Sequence, residues 1–304
     1  MCLEKPSVSL VERQPDEIIR VPVDGYEVVA YSFGAGEEVL LCLNGGPGLP
    51  SDYLRDSHSR LADLGYRVVI HDQLGTGASD RPDDPSLWTI DRYVAEIETV
   101  RATLGLDRVH LLGQSWGTAL GTEYTLIHSD RVKTFIIANG TIDTPLHISE
   151  LHRLRAALGP ETVQMMLRHE ADGTTDHPEY VAAITILNYR HLCRLQDWPA
   201  PLQRSLDGLN RQVYTTLWGP NEFTCTGTRR SWNRLGDLHR IQQPCLLLVG
   251  LHDESTPAVA ASIAGKLPRA EVKVLPNSSH MPFFEEPQLY FSELRRFLDA
   301  NRGR

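Results

Sequence analysis

Length, composition and charge limit the classes of protein that this sequence can encode. The 304 residues allow one large domain or two modest ones, and a net charge of -9 argues against nucleic-acid binding, which needs a basic surface. The five cysteines are scattered and include no C-x-x-C pair, so reduced thiols are expected. No signal-peptide pattern and no apolar run near the ~18 residues of a membrane span is visible. We therefore expect a cytoplasmic protein that binds neither nucleic acid nor membrane.

The first half of the chain alternates short apolar segments with helical patterns. The predicted strands are Ile18–Val23, Tyr26–Tyr31, Val39–Leu43, Arg67–His71, Val109–Leu112 and Val132–Ala138. Asp24-Gly25 between the first two is typical of a hairpin turn. The last four are almost continuously apolar, as in strands covered on both faces. With helices predicted at Ile90–Leu104 and Gly117–His128, the alternation indicates a mostly parallel sheet flanked by helices.

The second half resumes this pattern only near its end. Cys245–Val249 and Val272–Leu275 are predicted strands, and Gln288–Ala300 has an apolar helical face. Between the two blocks, from Ile142 to Phe223, the sequence has helical periodicity and no convincing strand. We predict an α/β core formed by residues 1–141 and 224–304, with residues 142–223 inserted as a helical cap.

A G-x-S-x-G sequence marks a candidate nucleophile. Ser115 follows an apolar strand and precedes a helical pattern, with Gly113 and Gly117 on either side. Glycines permit the tight strand-to-helix turn that leaves a serine hydroxyl exposed at its tip. The N-terminus of the following helix favours developing negative charge. This context predicts an α/β-hydrolase fold in which Ser115 attacks the substrate.

A serine nucleophile needs a base, and the base needs an orienting acid. Asp253 follows the predicted strand Cys245–Val249, and His280 follows the next predicted strand, so both should lie at one edge of the sheet. They also occur in the order Ser, Asp, His that this fold uses. His252 is the main rival for the base, but its neighbour Asp253 is better placed as the acid.

A glycine cluster after the strand Val39–Leu43 suggests an oxyanion hole. Acyl transfer creates an alkoxide that needs preorganised N–H donors, usually the amide after the nucleophile and one from this loop. We predict the amides of Trp116 and Gly46, with Gly45 as the alternative to Gly46.

Five segments together resemble one known family. They are L-N-G-G-P-G-L-P-S-D-Y-L, H-D-Q-L-G-T-G-A-S, G-Q-S-W-G-T-A-L, H-D-E-S-T-P and S-S-H-M-P-F-F-E-E-P. Across nearly the whole chain, the sequence resembles the proline iminopeptidases and related L-amino-acid amidases. One departure is Asn44, where the family usually has histidine before the glycines.

The resemblance implies that acidic residues bind the free α-amino group of the substrate. Glu222 and Glu254 match the family, whereas Asp197 is a weaker candidate because Gln196 stands where the family often has another acid. An enclosed ammonium group needs charge-assisted acceptors, each worth about 1.5–3 kcal/mol. The aromatic residues of the predicted cap, Tyr189, Trp198, Tyr214 and Trp218, could line a pocket or form its core, and the core is the better interpretation.

Two enzymatic functions remain open at this stage. The leading hypothesis is a serine hydrolase without metal or other cofactor. It would remove an N-terminal residue from a small peptide, or hydrolyse an L-amino-acid amide, through an acyl-enzyme. The alternative is an esterase, lactonase or amidase acting on a secondary metabolite with the same triad and a repurposed cap. A binding module without catalysis is disfavoured because Ser115, Asp253 and His280 are all present. The preferred first residue and the oligomeric state stay open.

Overall fold

The computed structural model describes residues 13–303. Eight strands form one sheet in the order β1-β2-β4-β3-β5-β6-β7-β8. Their bounds are β1 Glu17–Val23, β2 Tyr26–Phe33, β3 Glu38–Leu43, β4 Tyr66–Asp72, β5 Val109–Gln114, β6 Val132–Ala138, β7 Cys245–Gly250 and β8 Ala270–Leu275. Pairs β1–β2 and β2–β4 are antiparallel, and the other pairs are parallel. All eight predicted strands are confirmed to within a few residues.

The first hairpin is the one that its turn residues predict. Val23 pairs with Tyr26, and both residues between them have positive φ, 49° at Asp24 and 84° at Gly25. A two-residue turn with positive φ at both positions matches the right-handed twist of the flanking strands.

Helices cover both faces of the sheet. They are α1 Asp52–His58, α2 Ile90–Thr103, α3 Trp116–Ile127, α9 Pro257–Ala264, α10 Pro282–Glu285 and α11 Pro287–Asp299. Side chains of the central strands alternate between two apolar clusters. Leu41 belongs to the cluster that includes side chains of α2, α3 and α9, and Leu40 belongs to the cluster that includes side chains of α1 and α11. This three-layer arrangement explains why the central strands are apolar on both faces.

The chain between β6 and β7 contains a separate group of helices. They are α4 Thr144–Ala156, α5 Pro160–Asp172, α6 Pro178–Leu187, α7 Ala200–Asp207 and α8 Arg211–Leu217. Leu151, Met166, Tyr180 and Trp218 belong to an apolar cluster of their own. The division into core and cap at residues 142 and 223 stays a prediction.

Four of the five cysteines lie within the described residues. Cys42, Cys193 and Cys245 are buried thiols, and Cys225 is half-buried, also as a free thiol. Cys2 lies outside the described residues. Within residues 13–303, no helix has both the length and the apolar character needed to cross a bilayer.

Candidate active site

Ser115 lies in a strained turn between β5 and α3. Its φ of 51° and ψ of -117° are unfavourable for a residue with a side chain, and such strain is typical of functional sites. The glycines beside it are required by close packing. A Cβ at Gly113 would lie 2.3 Å from the carbonyl oxygen of Gly117, and a Cβ at Gly117 would lie 2.2 Å from that of Leu43. The turn therefore places a partly exposed serine at the N-terminus of a helix.

Asp253 and His280 form a buried hydrogen-bonded pair beyond the carboxyl ends of β7 and β8. His280 Nδ1 lies 2.8 Å from Asp253 Oδ1, and the Ser255 amide donates to the same oxygen at 2.9 Å. A proton on Nδ1 that is donated to the carboxylate leaves Nε2 as the acceptor, which is the tautomer that a general base needs. Ser115 and His280 line one cavity. The structure thus brings the three predicted triad residues to one edge of the sheet.

Asn139 also belongs to this site, and sequence reasoning missed it. Its Nδ2 donates to Asp253 Oδ2 at 2.6 Å and to the Ser279 carbonyl at 3.3 Å. Its φ of 54° is in the left-handed region, which asparagine tolerates better than most residues. Asn139 directly follows β6, so the available signal was a polar residue at the carboxyl end of a central strand.

Electrostatics favour a basic imidazole at His280. Burial lowers its pKa, but the charge of Asp253 and the hydrogen bond to it outweigh burial, so the pKa of His280 ends above its ordinary value of 6.5. A base with a raised pKa accepts a proton more readily from a hydroxyl group.

The hydrogen bonds of the glycine loop after β3 favour Gly46 over Gly45 as an oxyanion donor. The Gly45 amide already donates to the Tyr53 hydroxyl at 2.7 Å, whereas the Gly46 amide donates no hydrogen bond to any residue in the described range 13–303. Gly46 has a φ of 114°, and it lines the same cavities as Ser115. The Trp116 amide, at the first position of α3, has no intrahelical acceptor. Gly46 and Trp116 therefore remain the better pair.

Asn44 anchors this loop. Its Nδ2 donates to the Leu49 carbonyl at 2.5 Å, and its Oδ1 accepts from Gln73 Nε2 at 3.1 Å. Gln73 Oε1 in turn accepts from the indole of Trp116 at 3.0 Å. The residue that departs from the family pattern therefore ties the glycine loop to the start of α3.

The two predicted amine-binding glutamates lie next to each other. Glu254 is buried, with Oε1 3.6 Å from His280 Nε2 and with Oε2 lacking a hydrogen-bond partner among the described residues. Burial and the neighbouring Glu222 carboxylate raise the pKa of Glu254 well above its ordinary value. The Tyr214 hydroxyl donates to Glu222 at 2.7 Å. A glutamate with a raised pKa holds its proton more tightly than an exposed one, and a nearby cation would favour its release.

Two cavities meet at the nucleophile. The lining of the polar cavity includes Ser115, Thr141, His147, Glu222, Arg229 and Glu254. The lining of the apolar cavity includes Leu49, Leu192, Leu206, Leu209, His280 and Met281. Ser115, Gly46 and Glu222 line both. A substrate bound across Ser115 would thus have one end among charged groups and the other among leucines.

The chain is similar to known α/β-hydrolases. A family model described as alpha/beta hydrolase fold matches residues 38–287. A proline iminopeptidase of Heyndrickxia coagulans is 35% identical over 88% of this chain and 92% of its own length. Among solved structures, VinJ superposes with a TM-score of 0.91 at 34% identity, covering 94% of this chain and 99% of its own. A proline iminopeptidase of Mycobacterium smegmatis has a TM-score of 0.87 at 31% identity, covering 94% and 98%.

The chain belongs to the proline iminopeptidase family of α/β-hydrolases. This confirms the predicted fold class and the predicted class of enzyme, a hydrolase of the proline iminopeptidase type. The roles of individual residues stay predictions.

The other candidate residues from the sequence differ in whether they line the two cavities. Asp197 is exposed and lines neither cavity. His252 is likewise outside both cavities, and its carbonyl accepts a hydrogen bond from the His191 ring. Tyr189 is 46% exposed and Trp198 is partly buried, whereas Tyr214 and Trp218 are buried, belong to the apolar cluster of the inserted helices and also line a cavity.

Within residues 13–303, one group of side chains could together bind a metal ion. His169, His177 and Glu179 lie where α5 is followed by α6, and their ligand atoms are all within 4.8 Å of one another. None of the three lines the polar or the apolar cavity. The reaction without a metal or other cofactor stays a prediction from the triad chemistry.

Proposed function

We propose that this protein is a serine aminopeptidase. It would remove the N-terminal residue of a small peptide, as its relatives' name proline iminopeptidase suggests, or hydrolyse an L-amino-acid amide. The observation that carries the proposal is the pair formed by the partly buried Glu222 and the buried Glu254, which shares a cavity with Ser115. Such a pair fits a substrate that has a free ammonium group next to the scissile carbonyl.

The triad performs acylation in this proposal. Ser115 Oγ attacks the carbonyl carbon while His280 Nε2 takes the hydroxyl proton, and Asp253 stabilises the resulting imidazolium. The amides of Gly46 and Trp116 hold the oxyanion. His280 then gives the proton to the leaving amine as the carbonyl–nitrogen bond breaks. A water molecule, deprotonated by the same histidine, releases the amino acid from Ser115.

The glutamates explain why the enzyme would act only at a chain terminus. A substrate ammonium replaces the proton that Glu254 retains, so charged partners meet inside the cavity. An acylated amine carries no charge and cannot replace that proton, so the substrate loses charge-assisted hydrogen bonds worth about 1.5–3 kcal/mol each. Internal peptide bonds are therefore excluded.

A second candidate function is favoured by the apolar cavity. Leu49, Leu206 and Leu209 would accommodate a large apolar leaving group better than a polar peptide. An esterase, lactonase or amidase acting on a secondary metabolite would use the same triad without needing the glutamates.

The free cysteines and the net charge bear on the location and the partners of the enzyme. We propose a cytoplasmic enzyme, because the four described cysteines are free thiols, which are typical of a reducing compartment. Small peptides or amino-acid amides would be its substrates, and a net charge of -9 disfavours nucleic-acid partners.

Blocked and free substrates distinguish the two candidates. We expect L-aminoacyl p-nitroanilides, including that of proline, to be cleaved and their N-acetyl derivatives to be resistant. Comparable turnover of the acetylated compounds would exclude the aminopeptidase and favour the esterase. Ser115→Ala should abolish both turnover and labelling by a fluorophosphonate. Labelling that survives this substitution would identify another serine as the nucleophile.

Glu222→Gln tests amine recognition separately. Removing the charge of one acceptor should lower kcat/KM for free-amine substrates by about tenfold or more. Glu161→Gln is the matched control, because Glu161 is exposed at the start of α5 and should leave the value unchanged. An unaltered kcat/KM for Glu222→Gln would contradict the proposed amine site.

A further inference from the structure

Arg229 is a buried cation in the wall of the polar cavity. Only 5% of the residue is exposed, and it lines the cavity together with Ser115. Three indole rings surround its guanidinium carbon, with centroids 5.3 Å away for Trp116, 5.5 Å for Trp218 and 5.4 Å for Trp232. The rings stabilise a positive charge, but their faces supply no lone-pair acceptors to guanidinium N–H groups.

The guanidinium is close enough to Glu222 for that carboxylate to raise its pKa, but it forms no salt bridge within the described chain. No carboxylate of residues 13–303 forms an ion pair with Arg229, and its Nε is buried without a hydrogen-bond acceptor. Burial lowers the pKa of Arg229 to about 10, so the side chain is still a cation at neutral pH. Other buried arginines are paired: Arg155 contacts Glu170 at 2.7 Å, and Arg101 contacts Glu98 at 2.6 Å.

An unpaired buried charge is costly, so its retention in a substrate cavity needs a reason. One such reason is an anionic or polar group of the substrate. It would accept hydrogen bonds from the guanidinium N–H groups of Arg229 only in the complex. Neighbouring His147 supports this, since it lines the same cavity and its buried Nδ1 has no partner among the described residues. Burial and the charge of Arg229 lower the pKa of His147 to about 3, so no second cation competes for the incoming group.

We propose that Arg229 is a specificity-determining residue that selects substrates whose N-terminal residue has a side-chain carboxylate or carboxamide. The inference rests on the proposed aminopeptidase function. The α-ammonium would bind Glu222 and Glu254, and the side-chain oxygen would accept hydrogen bonds from Arg229 in the same cavity. A carboxylate is the stronger partner, because both of its oxygens can engage the guanidinium fork.

Charge balance distinguishes this substrate class from proline. The polar cavity contains Arg229 and the two glutamates at separate positions. Glu222 is near enough to raise the pKa of Arg229, but neither glutamate forms a salt bridge with it in the described chain. A residue that carries both an ammonium and a side-chain carboxylate matches both positions. A proline ring would leave Arg229 buried and unpaired in the complex.

A panel of free-amine p-nitroanilides tests the proposal. The wild-type protein is assayed with the aspartyl, glutamyl, asparaginyl and glutaminyl compounds and with the leucyl and prolyl compounds. We expect the best acidic or amide substrate to exceed the leucyl compound in kcat/KM by about tenfold or more, the lower limit for hydrogen bonds to a charged group. Comparing aspartyl with asparaginyl, and glutamyl with glutaminyl, separates carboxylate from carboxamide recognition.

Arg229→Met removes the charge and retains an unbranched apolar stem against the tryptophans. We compare kcat/KM of the best acidic or amide anilide with kcat/KM of the leucyl anilide. The ratio of the two should fall to near one in Arg229→Met and recover partly in Arg229→Lys. Arg230→Met, the same change at the exposed neighbouring position, is the control and should leave the ratio unchanged. Thermal unfolding of each variant verifies that it is folded.

Three outcomes would overturn the inference. The first is a wild-type leucyl or prolyl compound that equals or exceeds every acidic and amide compound. The second is a decrease of kcat/KM by the same factor for all substrates in Arg229→Met, which would make Arg229 a general charge-balancing residue. In both, cleavage of free but not acetylated anilides would leave the aminopeptidase proposal intact. The third is failure to cleave any free-amine anilide, which would remove both proposals.

Discussion

Asn139 offers a test of how the candidate triad is held in position. Its Nδ2 donates to Asp253 at 2.6 Å and to the carbonyl next to His280 at 3.3 Å, so one amide group connects the loops after β7 and β8. Asn139 also has a φ of 54°. Substitution therefore affects two quantities, the hydrogen bonds of the side chain and the strain of the backbone.

A pair of variants separates these quantities. Asn139→Gly removes the side chain but tolerates positive φ, whereas Asn139→Ala removes the side chain and adds about 1–2 kcal/mol of backbone strain. A hydrogen bond to a buried charged group contributes about 1.5–3 kcal/mol, so both variants should lose about 10- to 100-fold in kcat/KM. The loss should fall on kcat, because Asn139 contacts Asp253 and lines neither cavity.

The assay is steady-state hydrolysis of an L-aminoacyl p-nitroanilide, combined with thermal and urea unfolding of both variants. Similar kcat values with a lower unfolding free energy for Asn139→Ala would agree with the reasoning. If kcat of Asn139→Gly stayed within about twofold of the wild type, the contact with Asp253 would not be positioning the acid. A loss confined to Asn139→Ala would show that the backbone, not the amide, determines the geometry.

Two further predictions concern protons. The base must be neutral to accept a proton, and the pKa of His280 is raised above 6.5. We therefore expect kcat/KM to rise with pH, with the midpoint of the rise above 6.5. A midpoint below 6.5 would contradict the role of Asp253. Because the pKa of Glu254 is raised, binding of an aminoacyl amide to the Ser115→Ala protein should release a proton near neutral pH. Calorimetry in buffers of different ionisation enthalpy measures this release, and a binding enthalpy that does not depend on the buffer would count against the shared proton.

Local sequence determined the framework of this protein. Strands, flanking helices and the turn at Asp24 were predictable because apolar periodicity and glycine requirements are properties of neighbouring residues. The same holds for Ser115, since the strand, the two glycines and the helix that expose it are contiguous. Asp253 and His280 could be nominated because each follows a strand, and the carboxyl ends of parallel strands share one edge of a sheet.

The tertiary structure decided which residues from distant parts of the chain meet. Asn139 contacts Asp253 across 114 positions, and no local pattern distinguishes it from any other asparagine after a strand. Arg229 follows an ordinary Gly-Thr pair in the sequence, yet three tryptophans and the cavity make it a buried unpaired cation. Such roles depend on burial and on partners brought together by packing, and these are properties of the folded chain rather than of any segment.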